Sequence, residues 1–93
     1  MVRWLPWSAD AFARASREGK PVLLSITAAW CRACHEMDRT TYADPEVAAL
    51  IHDRFVPVRV DTDQRPDINE RYNLGGWPTT AFLSATGALI TGG

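Results

Sequence analysis

Long apolar runs are missing from this chain. The longest mostly apolar stretch, Pro21 to Trp30, is about half of what a membrane-spanning helix requires and is interrupted by Ser25 and Thr27, so no membrane partner is expected. An excess of one charge is missing too. Ten Lys and Arg stand against eleven Asp and Glu, which leaves no global field to draw the protein to nucleic acid or anionic lipid. The amino terminus, MVRWLPWSAD, carries one Arg but no continuous apolar segment or small-residue cleavage site behind it. It does not read as a secretory signal, and a cytoplasmic setting is expected. Cysteine is scarce: two are too few for the disulfide scaffold of a secreted domain. With two residues between them they close too small a loop to constrain the unfolded chain much, so their use is expected to be chemical. Repeats, linkers and low-complexity segments are absent as well, and 93 residues with 46% hydrophobic content suit one core and one domain.

What is present alternates between helix and strand signals. Ser8 can cap a helix over Ala9–Glu18, in which Phe12 and Ala15 share a face and Gly19 supplies the stop. Pro21 opens the run Val22 to Thr27, whose length and β-branched content suit a buried strand. No Gly or Pro occurs from Cys31 to Arg39, which fits a helix beginning at the cysteine pair. Asp44-Pro45-Glu46 combines a cap, a first-turn proline and a first-turn acid, so a further helix should run to about His52 with Val47, Leu50 and Ile51 inward. Phe55 to Val60 reads as a second strand, Pro66 to Tyr72 as a short helix capped by the loop from Asp61, and Thr79 to Leu83 as a third strand. Ala85-Thr86-Gly87 then turns into a fourth strand over Ala88 to Thr91. This order implies an α/β domain with a mixed sheet and helices on its faces.

The segment Trp30-Cys31-Arg32-Ala33-Cys34-His35 carries the chemistry. As a redox motif it requires the first cysteine at a helix N-terminus, where unpaired N–H groups and the macrodipole favour thiolate, and the strand-to-helix reading supplies that setting. Other readings compete with it. Cys-x-x-Cys-His is also a haem-attachment pattern, although Met37 lies too near His35 to reach the opposite face of the same iron. Zinc held by Cys31, Cys34 and His52 is a further reading, but a second Cys-x-x-Cys or a paired histidine is lacking. Two unreactive buried thiols would be the plain alternative. The Asp61-Thr62-Asp63 segment tempts a calcium reading, which fails because Arg65 stands where another oxygen ligand is needed and Pro66 where the turn glycine belongs. A second signal lies downstream in Gly75-Gly76-Trp77-Pro78-Thr79, where a proline opens a strand after a glycine break. It reads as an edge or turn proline, or as a cis proline that exposes the backbone before it.

Together these residues resemble the thioredoxin superfamily. More narrowly, VLLSITAAWCRACHEMDRTTY, FVPVRVDTDQRPDINERY and GGWPTTAFLSATGALITGG resemble the thioredoxin-like N-terminal domain of spermatogenesis-associated, six-hairpin-glycosidase-like proteins. The resemblance implies a thioredoxin-like fold ending before its C-terminal helix, with an apolar sheet face left open to self-association or to partial cover by Trp4, Leu5 and Trp7. It implies thiol-disulfide exchange with protein or small-molecule thiols and disulfides, needing no cofactor and no metal. Cys31 would attack and Cys34 resolve. Trp30, Trp77 and Pro78 would form the substrate-facing rim, with Arg32 and His35 as tuning residues. A docking or substrate-presenting module without catalysis is the alternative. Three departures matter. Ser25 replaces the buried aspartate of ordinary thioredoxins, Arg32-Ala33 replaces Gly-Pro between the cysteines, and the chain stops at Gly92-Gly93.

Overall fold

The computed structural model describes residues 1–92; Gly93 lies outside them. The elements follow in the order α1 (Ala9–Glu18), β1 (Val22–Thr27), α2 (Arg32–Arg39), α3 (Pro45–Arg54), β2 (Val56–Asp61), α4 (Pro66–Tyr72), β3 (Thr79–Leu83) and β4 (Leu89–Gly92). The four strands lie in the order β2-β1-β3-β4, with β1 parallel to β2 and antiparallel to β3, and β3 antiparallel to β4. This is the mixed sheet of a thioredoxin-like fold.

Local chemistry sets most boundaries. Ser8 accepts the Ala11 N–H, and Gly19, at φ 64°, closes α1 in the left-handed conformation that a side chain resists. Asp44 accepts the Glu46 N–H ahead of Pro45, as the cap pattern requires. Four details differ from the sequence-based expectation, the first being that Leu50, expected on the inward face of α3, is exposed. Helix α3 runs on to Arg54, so Phe55 ends that helix and the strand starts at Val56. The Asp61 carboxylate turns back onto the Asp63 and Gln64 N–H groups of its own loop, so α4 starts at Pro66 with Arg65 at its N-cap and no side-chain cap bond. Strand β4 starts at Leu89 and runs to Gly92.

Alternation along the strands divides the core into two layers. Val22, Leu24 and Ile26 of β1, with Val56, Val58 and Val60 of β2, face α1 and α4 and meet Ala11, Ala15, Ile68 and Tyr72. Leu23, Phe82 and Phe55 lie on the other side with Tyr42, Val47, Ile51 and Met37. Trp7 packs in the first layer and Trp4 in the second, so the N-terminal segment straddles the sheet instead of covering one open face. Leu5 extends the sheet beyond β2: its N–H donates to the Pro57 carbonyl at 2.9 Å and its carbonyl accepts the Arg59 N–H at 3.0 Å. The N–H groups of Val56, at the start of β2, and Thr62, just beyond its end, point to the β1 side, so the position of Pro57, like that of Arg59, faces outward, where a missing donor breaks no ladder bond. Leu89 and Ile90 of β4 remain exposed.

Candidate active site

Strand β1 is buried on both faces and delivers the chain through Ala28, Ala29 and Trp30 to Cys31. The Cys31 N–H donates to the Ala28 carbonyl at 3.0 Å, and Cys31 then adopts the extended conformation of a helix N-cap, with φ −84° and ψ 107°. Its Sγ accepts the Cys34 N–H at 3.1 Å, the place an oxygen occupies in an ordinary cap. Cys31 and Cys34 are joined in a disulfide, their Cα atoms 5.3 Å apart, and both are buried. The reading of two unreactive free thiols therefore does not describe this pair.

Helix α2 differs electrostatically from the other three among the described residues. Asp10, Glu46 and Asp67 place a carboxylate in the first turns of α1, α3 and α4, whereas the first turn of α2 has none. A thiolate on Cys31 would be the negative charge that complements this helix end.

Arg32 and His35 sit on the exposed side of α2. Arg32 makes no ion pair or side-chain hydrogen bond among the described residues. The His35 ring is engaged with the approach loop: Nε2 lies 2.7 Å from the Ala29 carbonyl, which can only accept, so Nε2 carries the proton. His35 thus braces the loop that presents Cys31. Donor sets for the competing readings are not assembled. His52 Nε2 accepts the Arg3 N–H at 3.0 Å instead of joining the cysteines, and no group of three metal-ligating side chains occurs among the described residues. Met37 packs in the α3 layer.

The downstream signal folds onto the same place. The Trp77–Pro78 peptide is cis and leads directly into β3, the antiparallel neighbour of β1. Trp77 meets Trp30 edge to face, ring centroids 5.0 Å apart at 74°, although 47 residues separate them in sequence. Both stay exposed, at 37% and 61%. The structure therefore unites Trp30, Cys31, Cys34, Trp77 and Pro78 through two chain segments.

Two polar clusters went unnoticed in the sequence. In the first, Arg59 of β2 donates to both carboxylate oxygens of Asp38 on α2, at 2.8 and 3.0 Å, and to Ser25 Oγ of β1 through two N–H groups at 3.3 Å. Its guanidinium also lies 4.3 Å from the Trp4 ring centroid. Ser25, where ordinary thioredoxins have aspartate, is thus the partner of an arginine opposite it in the strand register. Asp38 stands one helical turn beyond Cys34, so the cluster ties the cysteine helix to the sheet. In the second cluster, Asn73 and Asn69 hold the loop that carries Trp77 and Pro78. Sequence spacing gave no signal for the first. For the second, an asparagine before Gly-Gly is a turn signal that could have been followed.

A strand running into a disulfide-closed Cys-x-x-Cys at a helix start, with a cis proline opening the neighbouring strand, defines a thioredoxin-fold domain. Comparison with known proteins takes the assignment further. A family model described as "Thioredox_DsbH: Protein of unknown function, DUF255" matches residues 1–93, and the chain belongs to that family. Human spermatogenesis-associated protein 20 is 34% identical over 99% of this chain, which spans 13% of that protein. The thiol:disulfide interchange protein DsbD of Ralstonia nicotianae is 36% identical over 84% of the chain and 13% of its own length. The solution structure of a thioredoxin from Thermus thermophilus superposes with a TM-score of 0.81 at 28% identity, covering 98% of this chain and 73% of that one. A DsbH oxidoreductase shares the fold with a TM-score of 0.85 at 20% identity, covering 99% and 72%. The chain thus spans a small part of the curated relatives it matches.

Proposed function

We propose that this domain is a thiol-disulfide oxidoreductase acting through Cys31 and Cys34. The observation that carries the reading is Cys31 at the cap of α2, with its sulfur on the Cys34 N–H and disulfide-bonded to Cys34. Relatives named as thiol:disulfide interchange proteins support it. In the reduced domain the Cys31 thiolate attacks one sulfur of a substrate disulfide, forms a Cys31–substrate disulfide and releases the other half as thiolate. Cys34 then loses its proton and attacks Cys31 Sγ, expelling the second substrate thiolate, which takes up a proton. The substrate gains two electrons and the domain is left as the Cys31–Cys34 disulfide, to be reduced again by an external dithiol. Trp30, Trp77 and Pro78 form the edge on which the substrate lies, and the motif serves a reducing, cytoplasmic setting. Arg32 and His35 tune the pair, His35 by bracing the Ala29–Trp30 approach.

The test is equilibration in glutathione or dithiothreitol buffers with thiol trapping and mass spectrometry. A reversible two-electron transition below about −220 mV identifies a reductase, and one near about −120 mV an oxidant. Cys31→Ser should abolish exchange, and Cys34→Ser should accumulate the Cys31–substrate disulfide. The domain's small share of its relatives' length suits the other reading, a docking module of a larger protein. Under that reading Cys31→Ser would leave partner capture intact and there would be no exchange to lose.

A further inference from the structure

The Trp77 indole is exposed, and its N–H could be satisfied by water. It is instead fixed by protein: Nε1 donates to Asn69 Oδ1 at 3.2 Å. The same oxygen accepts Asn73 Nδ2 at 2.8 Å, so both of its lone pairs are in use. Asn73 is as fully engaged. Its Oδ1 accepts the Gly75 and Gly76 N–H groups at 2.8 and 2.9 Å, and its Nδ2 also donates to the Gly76 carbonyl at 3.0 Å. Because those two backbone groups can only donate, the orientation of the Asn73 amide is determined. The Gly76 carbonyl accepts Thr79 Oγ1 from the far side of Pro78 at 2.6 Å, which closes the loop onto β3. Gly75, at φ 123°, has the backbone conformation this wrapping demands. The result is a frame running from α4 through the loop to one indole ring.

Resting on the thiol-disulfide reading, we infer that Asn69 and Asn73 are positioning residues that hold Trp77 edge-on to Trp30, and that the rim so formed selects extended peptide disulfides bearing an apolar side chain. Neither asparagine touches the sulfurs. Their effect passes through the indole, whose apolar surface a peptide side chain can cover and a small hydrophilic disulfide cannot. Asn69 acts here only as an acceptor, so aspartate can replace it in its bond to Trp77 and alanine cannot.

The experiment compares the parent, Asn69→Ala, Asn69→Asp, Trp77→Phe and the Asn69→Ala/Trp77→Phe double variant in steady-state reduction of an apolar peptide disulfide and of oxidised glutathione. Loss of the Asn69 acceptor, which releases both the Trp77 N–H and the Asn73 amide, predicts a rise in peptide KM of about threefold to tenfold for Asn69→Ala, with kcat and the glutathione rate unchanged. Trp77→Phe, which keeps an aromatic ring but not the N–H, should raise the peptide KM by a similar factor, the double variant should add nothing to that rise, and Asn69→Asp should stay near the parent. The exciton couplet of the two indoles in circular dichroism should weaken in Asn69→Ala. An unchanged peptide KM, an additive double variant or an equal loss with glutathione overturns the inference. So does a couplet as strong in Asn69→Ala as in the parent, whether or not the parent exchanges disulfides. A parent that exchanges none, with the couplet lost in Asn69→Ala, overturns the functional reading while upholding the positioning of Trp77.

Discussion

Replacing Arg59 with methionine tests whether a single guanidinium joins the cysteine helix to the sheet. The substitution keeps much of the stem and removes every polar contact. Ser25 Oγ, in a residue 1% exposed, loses its partner, and an orphaned buried hydroxyl costs about 1–3 kcal/mol. The stacking on Trp4 contributes about 0.5–2 kcal/mol. The Asp38 pair adds less than its geometry suggests, because the Asp38 side chain is 39% exposed and recovers water; about 1 kcal/mol is its upper bound. Together these give a loss of about 1.5–6 kcal/mol, which at a mid-range slope of about 2 kcal/mol per molar lowers the urea midpoint by about 1–3 M. Ser25→Ala in the same background removes the orphaned hydroxyl and should recover about 1 kcal/mol or more. Both unfolding curves are to be recorded in the oxidised state with equal slopes. A midpoint within about 0.2 M of the parent, or a double variant weaker than Arg59→Met alone, refutes the account.

A pH prediction follows from His52. Burial first, then the charges of Arg3, the amino terminus and Arg14, hold its pKa below the ordinary value, and its Nε2 must stay unprotonated to accept the Arg3 N–H. The unfolded chain therefore binds the proton more readily, so stability is full above the ordinary histidine range and declines as pH falls through it to the folded value. His52→Gln should flatten that part of a pH series of melting temperatures; an unchanged slope would assign the dependence elsewhere. Gly92→Ala is expected to loosen β4, since a Cβ there would stand 2.6 Å from the Thr80 carbonyl oxygen and 2.7 Å from Leu74 Cδ1. Faster amide exchange along β4 with β1 unaffected is the expected signature, and equal protection of β4 in both proteins would contradict it.

The parts of this fold that were readable in the sequence are those whose cause is local. Ser8 to Gly19 and Asp44-Pro45 mark helix ends through contacts a few residues long, and the valine-rich run that ends at Val60 marks a buried strand. The cysteine pair was readable because both halves of the motif lie within four positions. Arg59 was not, since its partners are 21 and 34 residues away and an arginine between two valines looks like an ordinary outward residue. His35 reads as a tuning residue, yet its bond reaches back six residues to a carbonyl, which composition does not report. The extension of α3 to Arg54 displaced the start of β2 because Phe55, apolar and aromatic, suits a strand as well as a helix end.

The outward-facing proline of β2 has a consequence for how copies of this domain behave together. An edge strand offers a row of free donors and acceptors on which a foreign strand can template itself. Here Leu5 already occupies the Pro57 carbonyl and the Arg59 N–H, and the proline has no hydrogen to offer. An incoming chain would have to evict Leu5 and would then find a rung missing from the ladder. On that flank the sheet cannot be lengthened into a fibril strand by strand while its amino-terminal segment stays in place.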